Sequence, residues 1–172
     1  VELYVYDLTN GMAKTFSPMV IGKVVEGIWH TGIVAFGKEY YYGGGICNGM
    51  PAETPYGYPV NVLTLGKTYI DKETFEQYLS DLSDSYAPEK YNLLHHNCNH
   101  FTDDCAQFLV GQGIPKNILA QHEEALDTPI GQQLLAMLQG MGGAFDPRTL
   151  EGDHNPQQMH FQHGSPNNSN KK

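Results

Sequence analysis

The chain has 172 residues, of which 40% are hydrophobic and 11% aromatic, and its 19 acidic and 10 basic side chains give a formal net charge of -9. That size and apolar content suit one compact domain around one core. The acidic balance argues against a nucleic-acid partner, whose phosphates it would repel. No run approaches the roughly 18 apolar residues of a membrane span, and Val1-Glu2-Leu3-Tyr4 lacks the basic and apolar regions of a signal peptide, so cytoplasmic or nuclear residence is expected. The three cysteines, Cys47, Cys98 and Cys105, cannot all pair within the chain. An odd, sparse count fits free thiols in a reducing compartment.

In chain order, residues 3–8, 28–36 and 60–65 alternate as half-buried strands, with 39–42 as a shorter one. Between them, residues 43–59 are so rich in Gly and Pro that a long surface loop is predicted. Past Asp71, placed as an N-cap, the period turns helical with Phe75, Tyr78, Leu79 and Leu82 on one face. A second helix is predicted over 97–109, where Phe101, Cys105, Phe108 and Leu109 form a stripe and Gly111 follows as a stop. Ile114-Pro115 opens a short helical turn to Leu119. A last helix starts near Thr128 with Pro129 at its first position and Ile130, Leu134, Met137 and Leu138 inward. From Gly142 the composition is Gly, Pro, Asn, Gln and His. The expected organisation is a domain over 1–142 and a disordered tail over 143–172, and strands first with helices after favour an α+β fold built on an antiparallel sheet.

The chemistry concentrates in His95-His96-Asn97-Cys98-Asn99-His100-Phe101. A thiol attacks as a thiolate, and the first turn of a helix favours that anion through its unpaired N–H groups and its dipole. Cys98 stands there if Asn97 is the cap, and the backbone N–H groups of Asn97, Cys98 and Asn99 are candidate oxyanion donors. A lone cysteine is more often a buried small hydrophobe. The polar neighbours of Cys98 favour the nucleophile, whereas Cys105 in the apolar stripe is assigned to the core. A base must come from elsewhere in the chain. His95 and His96 lie too close in sequence to reach over the helix start, so His30, on a predicted inner strand, is preferred. Alternation turns Trp29 to the opposite face as core filler. The alternation of His96, Cys98 and His100 invites a metal reading, but a structural zinc site wants a second ligand pair that this chain lacks. Neither metal nor cofactor is expected.

Tyr4-Val5-Tyr6-Asp7-Leu8, Glu26-Gly27-Ile28-Trp29-His30-Thr31, Gly43-Gly44-Gly45-Ile46, Tyr91-Asn92-Leu93 and Asn97-Cys98-Asn99-His100-Phe101, in this order, resemble the PPPDE family. The resemblance covers residues 3 to about 140. It implies a circularly permuted papain-like fold and a Cys98–His30 dyad that cleaves the isopeptide bond between the Gly-Gly end of a ubiquitin-like modifier and a substrate lysine. The family's best-known members are desumoylating isopeptidases, so SUMO or ubiquitin conjugates are the implied partners, and homodimers are implied as well. A diglycine has no side chains and fits a narrow tunnel, with Gly44 and Gly45 as candidate substrate contacts and Trp29 as a weaker one. A thiolate–imidazolium pair between Cys98 and His30 would give a bell-shaped pH profile.

Two other classes stay open. Thiol acyltransferases of the lecithin:retinol type share an Asn-Cys-x-His-Phe segment, but there the first His is usually followed by Trp, whereas here Trp29 precedes His30. A thiolate of this kind also suits acyl-thioester hydrolysis, as in protein S-depalmitoylation. The alternative outside enzymes is a module that binds SUMO or ubiquitin without cutting it.

Overall fold

A computed structural model describes residues 1–121 and 157–159. The helix expected from Thr128 lies outside the described residues, as does most of the expected tail. The described chain runs β1 (Glu2–Asp7), α1 (Met12–Ile21), β2 (Trp29–Ala35), β3 (Lys38–Gly43), β4 (Gly45–Gly49), β5 (Asn61–Thr64), α2 (Lys72–Leu82), a 3₁₀ turn (Pro88–Lys90), α3 (Cys98–Val110), α4 (Lys116–Leu119) and β6 (Gln157–Gln158). The strands form one antiparallel sheet in the order β5-β1-β2-β3-β4-β6.

Alternation along the strands makes two faces. One carries Leu3, Val5, Ile33, Tyr40, Tyr42 and Ile46, all buried, and packs on α2 and α3 through Phe75, Leu79, Phe101, Cys105 and Leu109. Cys105 is fully buried in that cluster, as its place in the stripe requires. The other face carries Tyr6, His30, Glu39 and Tyr41, brought side by side by the pairings Tyr6↔His30 and Val34↔Glu39.

Three expectations change. The segment 43–59 is not all loop: Gly45–Gly49 is β4, paired to β3 with Tyr41 opposite Cys47. Gly45 takes φ of +104°, which a side chain would strain, so the tight β3–β4 hairpin depends on it. Helix α1 interrupts the strands-first order. It begins after Gly11 with no side-chain cap and contains Pro18, so the usual start and interior signals are missing. Asp7 supplies the order instead. Its carboxylate accepts from the N–H of Thr9 (2.9 Å), Gly11 (2.6 Å) and Ile28 (3.3 Å), fixing the turn into α1 and the entrance to β2. Finally, Gln157 and Gln158, inside the segment expected to be disordered, pair with Asn48 and Cys47 of β4.

Behind His30 the second face holds a buried acid. Glu39 is fully buried, accepts from the Tyr6 hydroxyl (2.8 and 2.9 Å) and from the Ala52 N–H (2.9 Å), and its carboxyl is raised by burial despite those donors. The side chain lies over Gly32, where an added Cβ would collide with the carboxylate. Because Tyr6 and Ala52 hold that carboxylate, it has little room to retreat. Gly32→Ala is expected to destabilise the fold by about 1–3 kcal/mol, the usual cost of overpacking, read as a lowered urea midpoint with unchanged slope.

Candidate active site

The site begins with the way α3 starts. Asn97 is fully buried in extended conformation, and its Oδ1 accepts from the N–H of Asn99 (2.9 Å) and His100 (3.4 Å). His100 returns the favour through Nδ1, which accepts from the Asn97 N–H (3.3 Å), completing a capping box. Asn97 Nδ2 also donates to the Leu93 carbonyl (2.7 Å), tying the cap to the preceding turn. Cys98 is therefore the first helical residue. Capping engages the N–H groups of Asn97 and Asn99, which narrows the expected oxyanion trio to Cys98's own N–H. That group lies against the hydroxyl oxygen of Tyr91.

On the other side, β2 presents an open edge. Its ladder with β3 covers only residues 33–35, from Ile33↔Tyr40 to Ala35↔Lys38. Val5 turns its carbonyl toward Val60, on the β5 side, so the Tyr6 and His30 backbone groups pair with each other and those of Trp29 and Thr31 face the gap. Side chains fill it. Gln121 accepts from the Trp29 N–H (3.1 Å) and donates to the Trp29 carbonyl (2.9 Å), imitating a strand partner. Asn99, fully buried, donates to the Trp29 carbonyl (3.2 Å) and the Ile118 carbonyl (3.3 Å) and accepts from the Thr31 hydroxyl (2.8 Å). The Thr31 N–H lies against the Cys98 thiol. The thiol thus abuts the peptide that joins His30 to Thr31.

His30 is 2% exposed. Its ring stacks on Tyr56 at 3.5 Å between centroids and is flanked by Tyr6 and Tyr41, each at 6.0 Å. Its Nε2 is buried with no hydrogen-bond partner among the described residues. Burial pushes the imidazole down to about 3. Burial likewise pushes the Cys98 thiol up to about 11, outweighing the N–H groups of Thr31, Cys98 and Asn99 and the Tyr91 hydroxyl, all of which favour the thiolate. With the cysteine value above the histidine value, thiol and imidazole are both neutral across the intervening pH range. Burial thus works against the expected thiolate–imidazolium pair, while the helix start favours its thiolate half.

The remaining candidates are placed as follows. Gly44 and Gly45 form the β3–β4 hairpin, where Gly45 lies 3.7 Å from Pro88 by its would-be Cβ and answers to backbone conformation. Trp29 is partly buried against the core cluster. His96 reaches the Ser85 carbonyl (2.8 Å) and stacks on Tyr86, while His95 is exposed, so the histidine run diverges from Cys98. Among the described residues no three His, Cys, Asp or Glu side chains gather as a metal site. Tyr56 and Gln121 had no role in the sequence reading, and Asn99 entered it only through its backbone N–H, not through its side chain. Tyr56 sits in a Gly/Pro-rich loop with no periodicity to aim it, and Gln121 and Asn99 act through contacts distant in sequence. Tyr91 belonged to a quoted motif, the one signal that pointed to it.

A helix-capped thiol lying against the strand that carries His30 is an arrangement suited to thiol-peptidase chemistry. The model of the PPPDE peptidase domain matches residues 1–139, and the chain belongs to that family. Among particular relatives, it is 46% identical over 140 residues to desumoylating isopeptidase 1 of Xenopus laevis, and equally so to the proteins of that name from Homo sapiens and Rattus norvegicus. Each alignment covers 80% of this chain and 83% of the relative.

The neutral resting pair has a direct readout. In the free enzyme, alkylation of Cys98 by iodoacetamide is expected to be slow at neutral pH and to keep rising towards pH 11, following the thiol's own ionisation. A rate already at its plateau near pH 6 would mean that the ion pair forms without substrate.

Proposed function

We propose that this protein is a cysteine isopeptidase that releases SUMO from lysine side chains of its conjugates, with Cys98 as nucleophile and His30 as general base. The observation that carries the assignment of residues is the Cys98 thiol, first in α3, lying against the His30–Thr31 peptide. The choice of modifier rests on the relatives' activity, desumoylation, at 46% identity over most of both chains.

The reaction starts from neutral partners. As Sγ attacks the carbonyl carbon of the modifier's terminal glycine, its proton passes to His30, so charge appears only while the bond forms. The imidazolium then protonates the departing lysine amine, leaving a thioester on Cys98. Water, deprotonated by the neutral imidazole, hydrolyses that thioester and restores the thiol. An unpartnered buried Nε2 suits a proton acceptor whose partner arrives with the reaction. Tyr56 and Tyr91 crowd this space with aromatic rings, which favours a tail without side chains.

Homodimerisation and cytoplasmic or nuclear residence belong to the same proposal. Support for the first comes from α1, where Met12, Phe16 and Met19 recur at i, i+4 and i+7 and are 61%, 54% and 84% exposed, an apolar stripe fit for burial against a partner. Among the described residues no helix is long and apolar enough to cross a membrane.

The test is turnover of a SUMO-lysine isopeptide substrate. Cys98→Ala should abolish it, and His30→Asn should lower kcat/KM by about 10²–10⁴-fold, the usual worth of a general base. A SUMO propargyl probe should attach to Cys98. Attachment to Cys105, or undiminished turnover by Cys98→Ala, would overturn the assignment.

A further inference from the structure

We propose that Tyr91 is a catalytic residue: its hydroxyl, together with the Cys98 N–H, is the hydrogen-bond donor pair that receives the oxyanion of the tetrahedral intermediate. This rests on Cys98 being the nucleophile.

Tyr91 follows the Pro88–Lys90 turn, whose Pro88 carbonyl accepts from its N–H (3.4 Å). Its ring packs on Tyr42 with centroids 5.1 Å apart, and the Asn92–His96 bridge fixes the chain beyond it. Tyr91 as a residue is 36% exposed, yet its hydroxyl turns inward to 4.0 Å from the Cys98 Sγ. A contact that long holds the hydroxyl near the thiol without engaging it strongly. Oxyanion donors serve best at about 2.7–3.1 Å from where the oxygen will be, not from the nucleophile. That oxygen is two bonds from Sγ, so a hydroxyl 4.0 Å from sulfur stands at a suitable remove.

The Cys98 N–H points at the same place. At rest it donates to the Tyr91 hydroxyl oxygen, while the Tyr91 O–H is directed at Sγ. An incoming carbonyl oxygen takes the hydroxyl's place as acceptor of the N–H, and the Tyr91 O–H turns from sulfur to that oxygen. The capping box leaves no better pair, because Asn97 Oδ1 already engages the N–H groups of Asn99 and His100. Tyr91 is also kept protonated: burial foremost, then the neighbouring Cys98 and Tyr56, hold its hydroxyl well above the ordinary tyrosine range.

The step balances without proton transfer from Tyr91. The S–C bond forms, the carbonyl π pair moves to oxygen, and the thiol proton goes to His30. On collapse the pair returns, the C–N bond breaks, and the imidazolium proton leaves with the lysine amine. Tyr91 donates a hydrogen bond throughout and keeps its proton.

Tyr91→Phe retains the ring and removes the donor. Its kcat on a SUMO-lysine isopeptide substrate should fall about 10²–10³-fold with KM unchanged, the usual effect of losing one oxyanion donor. A SUMO aldehyde, whose adduct with Cys98 carries the tetrahedral oxygen, should bind the variant correspondingly more weakly. A SUMO propargyl probe, whose adduct carries no such oxygen, should lose far less of its capture rate at Cys98 than kcat loses. Unchanged kcat overturns the proposal. So does an equal loss of propargyl capture, which would assign Tyr91 to the thiol or to the fold. If instead the wild-type chain, or Cys98→Ala as control, fails its own test on these substrates, it is the nucleophile assignment that falls.

Discussion

The buried amide of Asn99 is the interaction on which the site depends. It joins the first turn of α3 to the open edge of β2 on both sides of His30, through the Trp29 carbonyl and the Thr31 hydroxyl, and reaches α4 at Ile118. An amide offers two donors and an acceptor with two lone pairs, and here both of its ends are bonded inside the protein. Leaving any of those partners unpaired in the core would cost about 1–3 kcal/mol each. The helix start can therefore sit against β2 in one register, with Thr102 closing the same cluster against Thr31 (2.6 Å).

That staple resolves a conflict built into the sheet. Beyond Ile33 the strands β2 and β3 separate, and the freed backbone groups need partners other than water. The Gln121 amide serves Trp29 in both senses, while the Thr31 N–H is left to the Cys98 sulfur, a weak acceptor when neutral and a good one as a thiolate. The edge strand thus favours the Cys98 thiolate at the position where ordinary sheet pairing stops. Glu39 and Tyr6 brace the opposite face, and through Ala52 the same carboxylate holds the loop that carries Tyr56 onto the His30 ring.

Much of this framework was legible because it rests on local signals. The core stripe of α3, the Asp71 cap, the Gly111 stop and the inward face of α2 follow from periodicity and capping chemistry, and the structure places each within a residue of expectation. Cys98 and His30 stood out by residue type and neighbours. What could not be read depended on pairing across the chain. Strand β4 hides in a Gly-rich segment because its order comes from the β3 ladder, and α1 carries a proline and no side-chain cap, its turn being built by Asp7. The burial of the site was not legible either. Helix position argues for a thiolate, but a sequence does not show how many rings close over the imidazole.

Those rings bear on reactivity as well as placement. Burial that opposes the charge of Cys98 also opposes its oxidation and adventitious alkylation, both of which need the thiolate. The same exclusion of water strengthens each hydrogen bond made to a charge that appears during reaction, since a low local dielectric magnifies both the cost of an unpaired charge and the worth of a paired one. The thiol and imidazole can thus be dormant at rest without being slow in turnover, provided that donors are in place where negative charge arises and an acceptor where the proton must go. In the proposed mechanism His30 Nε2 meets the second condition. The proposed mechanism gives the first to the start of α3 and the tyrosine beside it, and selectivity for an acyl carbon then follows from where the donors point more than from how acidic the thiol is.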